Sequence, residues 1–478
     1  MPEGGSIGGM PQRVQTPLGL RLKKDANPLK TVPTRIMAII GASPARGAVV
    51  IFMLITLLFA MLLTLPFSSA DGTITPFHDA LFLATSAVSV TGLSTVNTAE
   101  HWSFLGQIIL FSGVQVGGLG ILTVATLLTM SVSRQLGLRQ KLIAQEGMTT
   151  GRLGETGALI RIVVLTSLVI EALIMLALLP RFIYLERDLW QGLWHSLTYS
   201  VSAFNNAGFV THLNGLADFG NDPYIATVLC IGVVIGALGF PVIMVLLKHR
   251  WDLRRWNLHT KLTVEVTLIL FVIGAVTYAF FEWSNPATMG DKSVGEKIGL
   301  SLFASVSSRS SGFNLVDINE QLPQTLLLTD ALMFVGGGAA STAGGIKVTT
   351  FAVIVLAIVA EARGSQDATA HNRRLPHGAI RVAVAVLAMG ATMVLVGTLA
   401  LTAISGETLQ RPLFEAISAF GTCGLSTGFS SELPPAGKYV LTALMFFGRV
   451  GTITFASALA MRQRRTMYRY PEERPIIG

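Results

Sequence analysis

The stretch FNNAGFVTHLNG, residues 204–215, is a polar turn containing glycine, set between apolar segments long enough to cross a bilayer. A single turn of this kind would be a plain loop, so its echoes decide the fold. It has three. LFLATSAVSVTGLSTV (81–96), LTYSVSAFNNAGFVTH (197–212), LFASVSSRSSGFNLVD (302–317) and LFEAISAFGTCGLSTG (413–428) share one grammar. Each has a short apolar run, a serine followed by Ala or Val, a polar tripeptide, then Gly followed by Leu or Phe. The aligned glycines Gly92, Gly208, Gly312 and Gly424 are 116, 104 and 112 residues apart, room for a pair of long helices each time.

The rest of the chain fits that repeat. Of 478 residues 51% are hydrophobic and 13% charged, which places the protein among polytopic membrane proteins rather than soluble domains. Apolar runs near 48–66, 104–130, 162–180, 224–247, 262–281, 326–360, 379–404 and 438–461 predict eight spans. Lys and Arg collect in alternate connections, such as Lys248, Arg250, Arg254 and Arg255, and the intervening ones carry acids such as Asp71, Asp79, Asp317 and Glu320. Cationic loops resist translocation, so both termini are expected in the cytoplasm. The net charge of +8 follows from that asymmetry and calls for no nucleic acid. Cys230 and Cys423 have no metal-ligand spacing and imply no disulfide framework.

The expected fold is an all-α polytopic membrane protein of four repeats, each a helix, a re-entrant pore helix with a filter turn, and a helix, around a pseudo-fourfold pore. The expected divisions are a cytoplasmic N-terminal tail (1–45), pore repeats at 46–135, 136–250 and 251–365, and a fourth at 366–478 with a cytoplasmic C-terminal tail. Each turn follows a run too short to span, and irregular backbone survives at membrane depth only where it is buried in protein or lines water. Four such turns around one axis can aim carbonyl oxygens at a shared path, where a cation exchanges its hydration shell for them. The candidate filter is Val90, Thr91, Gly92 and Leu93; Asn206, Ala207, Gly208 and Phe209; Ser310, Ser311, Gly312 and Phe313; and Thr422, Cys423, Gly424 and Leu425.

GGGAASTAGGIKV (336–348) interrupts the sixth run with Gly336, Gly337, Gly338, Gly344 and Gly345, each costing a helix about 1 kcal/mol relative to Ala. It does not match a phosphate loop, which needs Gly-Lys-Ser or Gly-Lys-Thr after a strand. Arg449, in GRVGTITF (448–455), lies about thirteen residues from the arginines that begin at Arg462, too far to snorkel. Glu171 falls inside the third span and is expected to pair internally.

In AVSVTGLST, AFNNAGFV, SSRSSGFN and AFGTCGLST, together with GGGAASTAGGIKV and GRVGTITF, the chain resembles the Trk, Ktr and HKT potassium transporter superfamily, and within it the KtrB type. The resemblance covers about residues 45–465. It implies potassium uptake across the bacterial cytoplasmic membrane through a four-repeat pore in a homodimer, docked to a cytosolic RCK subunit of the KtrA or TrkA type that alone binds nucleotide. It makes Gly336, Gly337, Gly338, Ala339, Ala340, Ser341, Thr342, Ala343, Gly344 and Gly345, with Lys347 and Arg449, a gate obstructing the pore below the filter. Strongly selective potassium channels use a longer Thr-Val-Gly-Tyr-Gly run. With one glycine per turn, potassium and rubidium are expected to pass with weaker exclusion of sodium, and sodium stays open as an activator. Cys423 stands where a small aliphatic residue is expected.

The rival classes ask for features the sequence lacks. An enzyme would need a nucleophile with its base, or metal-protease spacing of His and acids. A solute transporter of inverted repeats would not carry four direct ones. An ion-coupled secondary transporter, sodium- or proton-linked, remains the alternative to channel-like flow.

Overall fold

The computed structural model describes residues 44–135, 154–220, 222–250 and 252–461. The N-terminal tail, the connection at 136–153 and the C-terminal arginines from Arg462 onward lie outside the described residues, and with them much of the cationic patterning used to orient the chain.

Among the described residues five of the eight apolar runs fall on single helices. Four helices are each long and apolar enough to cross a membrane: α1 (Pro44–Thr64), α4 (Gly154–Glu186), α8 (Leu258–Glu282) and α12 (His377–Ser405). α3 (Phe104–Gln135) has 32 residues and carries the second apolar run. A two-residue hairpin, Thr369–Ala370 paired antiparallel with Arg373–Arg374, precedes α12. Large apolar side chains on outward faces, among them Leu165, Leu173 and Leu176 of α4 and Leu268, Val272 and Val276 of α8, are exposed in the isolated chain. So much apolar surface on one molecule suits lipid rather than water.

Three runs are broken. The fourth, expected as one helix over 224–247, is two: α6 (Pro223–Leu238) and α7 (Phe240–His249), bent by 103° at Gly239. The cause lies far away in sequence. Gly239 has φ +91°, a Cβ on it would stand 2.5 Å from the Ala339 carbonyl oxygen, and the next amide, Phe240 N, donates to Ala340 O at 3.0 Å. The sixth run breaks, as its glycines predict, between α10 (Pro323–Phe334) and α11 (Val348–Ala362). The eighth is α14 (Pro435–Phe446) and α15 (Thr452–Met461), joined by a π turn over Phe447–Gly451 that carries Arg449. Such π bulges recur at functional sites.

Four shorter helices enter between the long ones: α2 (Phe77–Ser89), α5 (Leu189–Asn205), α9 (Val294–Ser307) and α13 (Gln410–Gly421). At 13, 17, 14 and 12 residues none reaches the roughly 20 a helix needs to span. Buried polar pairs tie them to their surroundings. Asp79 at the start of α2 meets Lys438 of α14 at 2.6 Å, linking the first repeat to the last. Glu171 of α4 does pair internally: Gln115 donates to both its oxygens (3.1 and 2.9 Å) and Asn205 to one (3.0 Å).

Candidate functional site

Three of the four short helices end alike. Val90, Asn206 and Thr422 take the left-handed conformation, with φ of 57°, 60° and 47°. The amides of Val90, Asn206 and Thr422 bond back to Ala87, Ala203 and Ala419, and those of Thr91, Ala207 and Cys423 to Ser86, Ser202 and Ser418. This is a Schellman-type cap built without glycine at its left-handed position, a strain of about 1–2 kcal/mol per turn. Strain of this kind collects at functional sites. The third helix differs: Ser308 stays right-handed (φ −59°), and Ser310 and Ser311 both bond back to Ser307.

A serine then fixes each turn. Gly92 N donates to Ser86 Oγ at 3.0 Å and Gly424 N to Ser418 Oγ at 3.1 Å, while Ser202 Oγ donates to Phe209 O at 2.9 Å and Ser307 Oγ to Phe313 O. With these groups occupied, the carbonyls of Thr91, Ala207, Ser311 and Cys423 accept no hydrogen bond among the described residues.

The four turns form a closed ring. A Cβ on Gly92 would lie 2.0 Å from Ala207 O, on Gly208 2.4 Å from Ser311 O, on Gly312 2.8 Å from Cys423 O, and on Gly424 2.0 Å from Thr91 O. Each glycine abuts the carbonyl that precedes the next glycine, and the fourth meets the first. All four have positive φ, between 68° and 92°. Four carbonyls left without a hydrogen-bond donor in so tight a ring belong to the class of groups that can replace a cation's hydration shell.

Directly against the ring lies the segment between α10 and α11. A Cβ on Gly344 would fall 1.9 Å from Thr422 Oγ1, and Gly345 packs on Gly421. Main-chain bonds hold this segment: Gly336 N to Ile346 O (2.9 Å), Val348 N to Gly337 O (3.0 Å), Gly338 N to Ala237 O (2.8 Å) and Thr342 N to Gly236 O (3.3 Å). The loop is therefore buried and bonded, more tightly seated than its small side chains alone predict. The bend at Gly239 packs against it. Asn206 joins ring and loop: with its amide nitrogen on Val233 O (3.1 Å), its oxygen accepts from Ala237 N (3.2 Å) and from Thr342 Oγ1 (2.6 Å). Buried Arg449 donates through Nη1 to Thr342 O, leaving Nε and Nη2 without a partner among the described residues.

Residues 45–467 match the family model described as TrkH, cation transport protein. The chain belongs to the TrkH family. It is 35% identical over 91% of its length, and 97% of theirs, to the Ktr system potassium uptake protein B of Bacillus subtilis. It is 33% identical to the potassium/sodium uptake protein NtpJ of Enterococcus hirae, covering 91% of this chain and 97% of that one. The fold is similar to the crystal structure of the potassium transporter TrkH from Vibrio parahaemolyticus, with a TM-score of 0.67 at 18% identity over 86% of this chain and 84% of that one.

In this TrkH-family chain the sixteen residues expected to form the filter converge, but they divide in role. Thr91, Ala207, Ser311, Cys423 and the glycines form the ring. Leu93, Phe209, Phe313 and Leu425 are buried in the three largest apolar cores and anchor the turns from behind. Val90, Asn206 and Thr422 are the left-handed caps, and Ser310 occupies the third turn, its hydroxyl, like that of Thr422, without a partner among the described residues. The Cys423 thiol packs 3.5 and 3.4 Å from the carbonyls of Ser307 and Ser308. Lys347 does not snorkel free: its ammonium donates to Ala343 O (2.6 Å) and Gly344 O (3.4 Å). Four residues escaped the sequence reading as site residues, Ser86, Ser202, Ser307 and Ser418. The serine of each repeat was visible as a shared letter in three of the four, but its bond to the turn was not.

Proposed function

We propose that this TrkH-family membrane protein is the ion-translocating subunit of a Ktr-type potassium uptake system in a bacterial cytoplasmic membrane, with both termini in the cytoplasm. The observation that carries the proposal is the closed ring of Gly92, Gly208, Gly312 and Gly424 with its four unpartnered carbonyls. In this reading the ring is the filter, each of the repeats 46–135, 136–250, 251–365 and 366–478 supplies one quarter of it, and potassium passes down its electrochemical gradient. One carbonyl layer per turn gives weaker discrimination against sodium than a stack of rings.

Residues 336–345, with Lys347 and Arg449, are the gate. The loop abuts Thr422 on one side and is tethered by Arg449 on the other, which suits an obstruction held in place at rest. Opening would require a bistable element that an effector can bias. We assign the effector to a cytosolic RCK subunit that binds the nucleotide, acting on a homodimer of this chain. The relatives named for a Ktr system support a multi-component assembly.

The test is expression, with and without a candidate RCK subunit, in a bacterium deprived of its own potassium uptake systems, reading growth and rubidium uptake at low potassium. Uptake that rises with the subunit is expected. Deleting residues 338–344 should raise the maximal rate and lessen dependence on the subunit while rubidium-over-sodium preference is kept. An inserted deletion variant no faster than wild type removes the loop from gating; failure of the wild-type chain to restore growth in either setting removes the transport reading.

A further inference from the structure

At the end of the second turn opposite the loop, three side chains with metal-binding chemistry meet. Glu186 is the last residue of α4, His195 sits in the second turn of α5, and His212 follows Gly208 by four residues in the irregular segment leaving the ring. Glu186 Oε1 lies 2.9 Å from His212 Nε2 and 3.9 Å from His195 Nε2, and one ligand atom from each of the three lies within 4.8 Å of the others. The side chains are 21%, 14% and 14% exposed, reachable by a hydrated ion yet largely enclosed.

The surroundings orient both rings. His195 Nδ1 is 2.7 Å from Thr211 Oγ1, and His212 Nδ1 is 2.8 Å from Tyr199 OH. When those hydroxyls accept from Nδ1–H, both Nε2 lone pairs face the carboxylate. Such outer partners, which set tautomer and ring angle, typify histidine metal ligands. Phe182 stacks on His212 at 6.0 Å and Phe219 meets it edge-on at 4.8 Å, so the ring has little freedom to turn away.

We infer that Glu186, His195 and His212 bind one divalent transition-metal cation of borderline softness, with zinc as its representative. Zinc bonds imidazole nitrogen at about 2.0–2.1 Å and carboxylate oxygen at about 2.0–2.2 Å. A tetrahedral ion would hold its ligand atoms a little over 3 Å apart, so the present triangle closes around it with small side-chain shifts. Two nitrogens and one oxygen disfavour calcium and magnesium, which take oxygen ligands. Water completes the fourth position. The bound ion cross-links the end of α4, the second pore helix and the irregular segment leaving the second glycine turn.

The site stands apart from the transport reading, because its test reads metal directly. The purified full-length protein is dialysed against zinc chloride, and against cobalt chloride for the visible bands of a tetrahedral centre. One ion per chain, tetrahedral cobalt bands and a raised melting temperature are expected. His195→Asn keeps a polar atom near Thr211 while removing the Nε2 ligand, and should abolish stoichiometric binding, as should Glu186→Gln. Tyr199→Phe should weaken affinity by roughly 10-fold. His371→Ala, at the separate contact with Glu265, should change nothing. Absence of zinc binding by the wild-type chain, or binding by a monodisperse His195→Asn protein with unchanged affinity and bands, overturns the assignment.

Discussion

Thr342 Oγ1 lies 2.6 Å from the side-chain amide of Asn206 and 3.1 Å from Phe204 O, and these contacts join the loop to the second turn of the ring. Asn206 is also the left-handed cap of α5. A displacement of the loop thus acts on the residue that sets the geometry of a ring carbonyl, and ring and loop respond to the same bond.

Thr342→Val keeps the shape of the side chain and deletes its contacts with the buried Asn206 amide and with Phe204 O. The loss is about 1–3 kcal/mol. If it weighs on the seated loop alone, rubidium uptake becomes faster and less dependent on the regulatory subunit. Uptake identical to wild type with and without the subunit would show that the contact does not report on gating.

The four glycines should not be equally sensitive. Each has positive φ, so an alanine costs about 1–2 kcal/mol in backbone strain at any of them. The collision differs: a Cβ would approach a carbonyl oxygen to 2.0 Å at Gly92 and Gly424, 2.4 Å at Gly208 and 2.8 Å at Gly312. Rubidium-over-sodium preference, measured by competitive uptake, should fall most in Gly92→Ala and Gly424→Ala and least in Gly312→Ala. Cys423→Val, which alters only packing against Ser307 and Ser308, should be nearly silent. The reverse order would mean that the ring is not what discriminates.

Arg449→Gln removes both the tether to Thr342 and a positive charge beneath the ring. A hydrogen bond made by a charged donor contributes about 1.5–3 kcal/mol. Losing the tether and losing the repulsion push the same way, toward a higher maximal rate of rubidium uptake. A normally inserted variant with wild-type rates over a range of potassium concentrations would reduce Arg449 to a structural role.

Asp79 and Lys438 are largely buried, and removing one partner strands the other's charge at a cost of about 3–5 kcal/mol. Asp79→Asn should lower the melting temperature of the detergent-solubilised protein clearly. Asp79→Leu combined with Lys438→Met should recover much of the loss. Equal destabilisation by the single and the double change would place the stability elsewhere.

The helical apolar runs and the four turns were legible because each rests on a local signal: a long apolar run, or glycine after a short one. What escaped depends on partners remote in sequence. Gly239 reads as one more small residue in an apolar stretch until Ala339 and Ala340 arrive beside it. The right-handed end of α9 was hidden because its anchoring serine, Ser307, stands five residues before the glycine, whereas Ser86, Ser202 and Ser418 stand six before theirs. Arg309, buried with Nη1 on Thr267 O at 2.8 Å, passed as one letter of a polar turn. Glu186, His195 and His212 are spread over 27 residues with no metal-motif spacing, so only the fold gathers them.

The ring closes within one polypeptide, Gly424 against Thr91. In an assembly of four identical chains any substitution would be copied four times, and the opening could change only as a whole. Here each quadrant is separately encoded. The third already departs from the others in its helix ending, and a single codon can reshape one wall while three stay fixed. On the proposed reading of the ring as the filter, ion preference can therefore drift by quarter steps, and an ion at its centre need not sit on the axis.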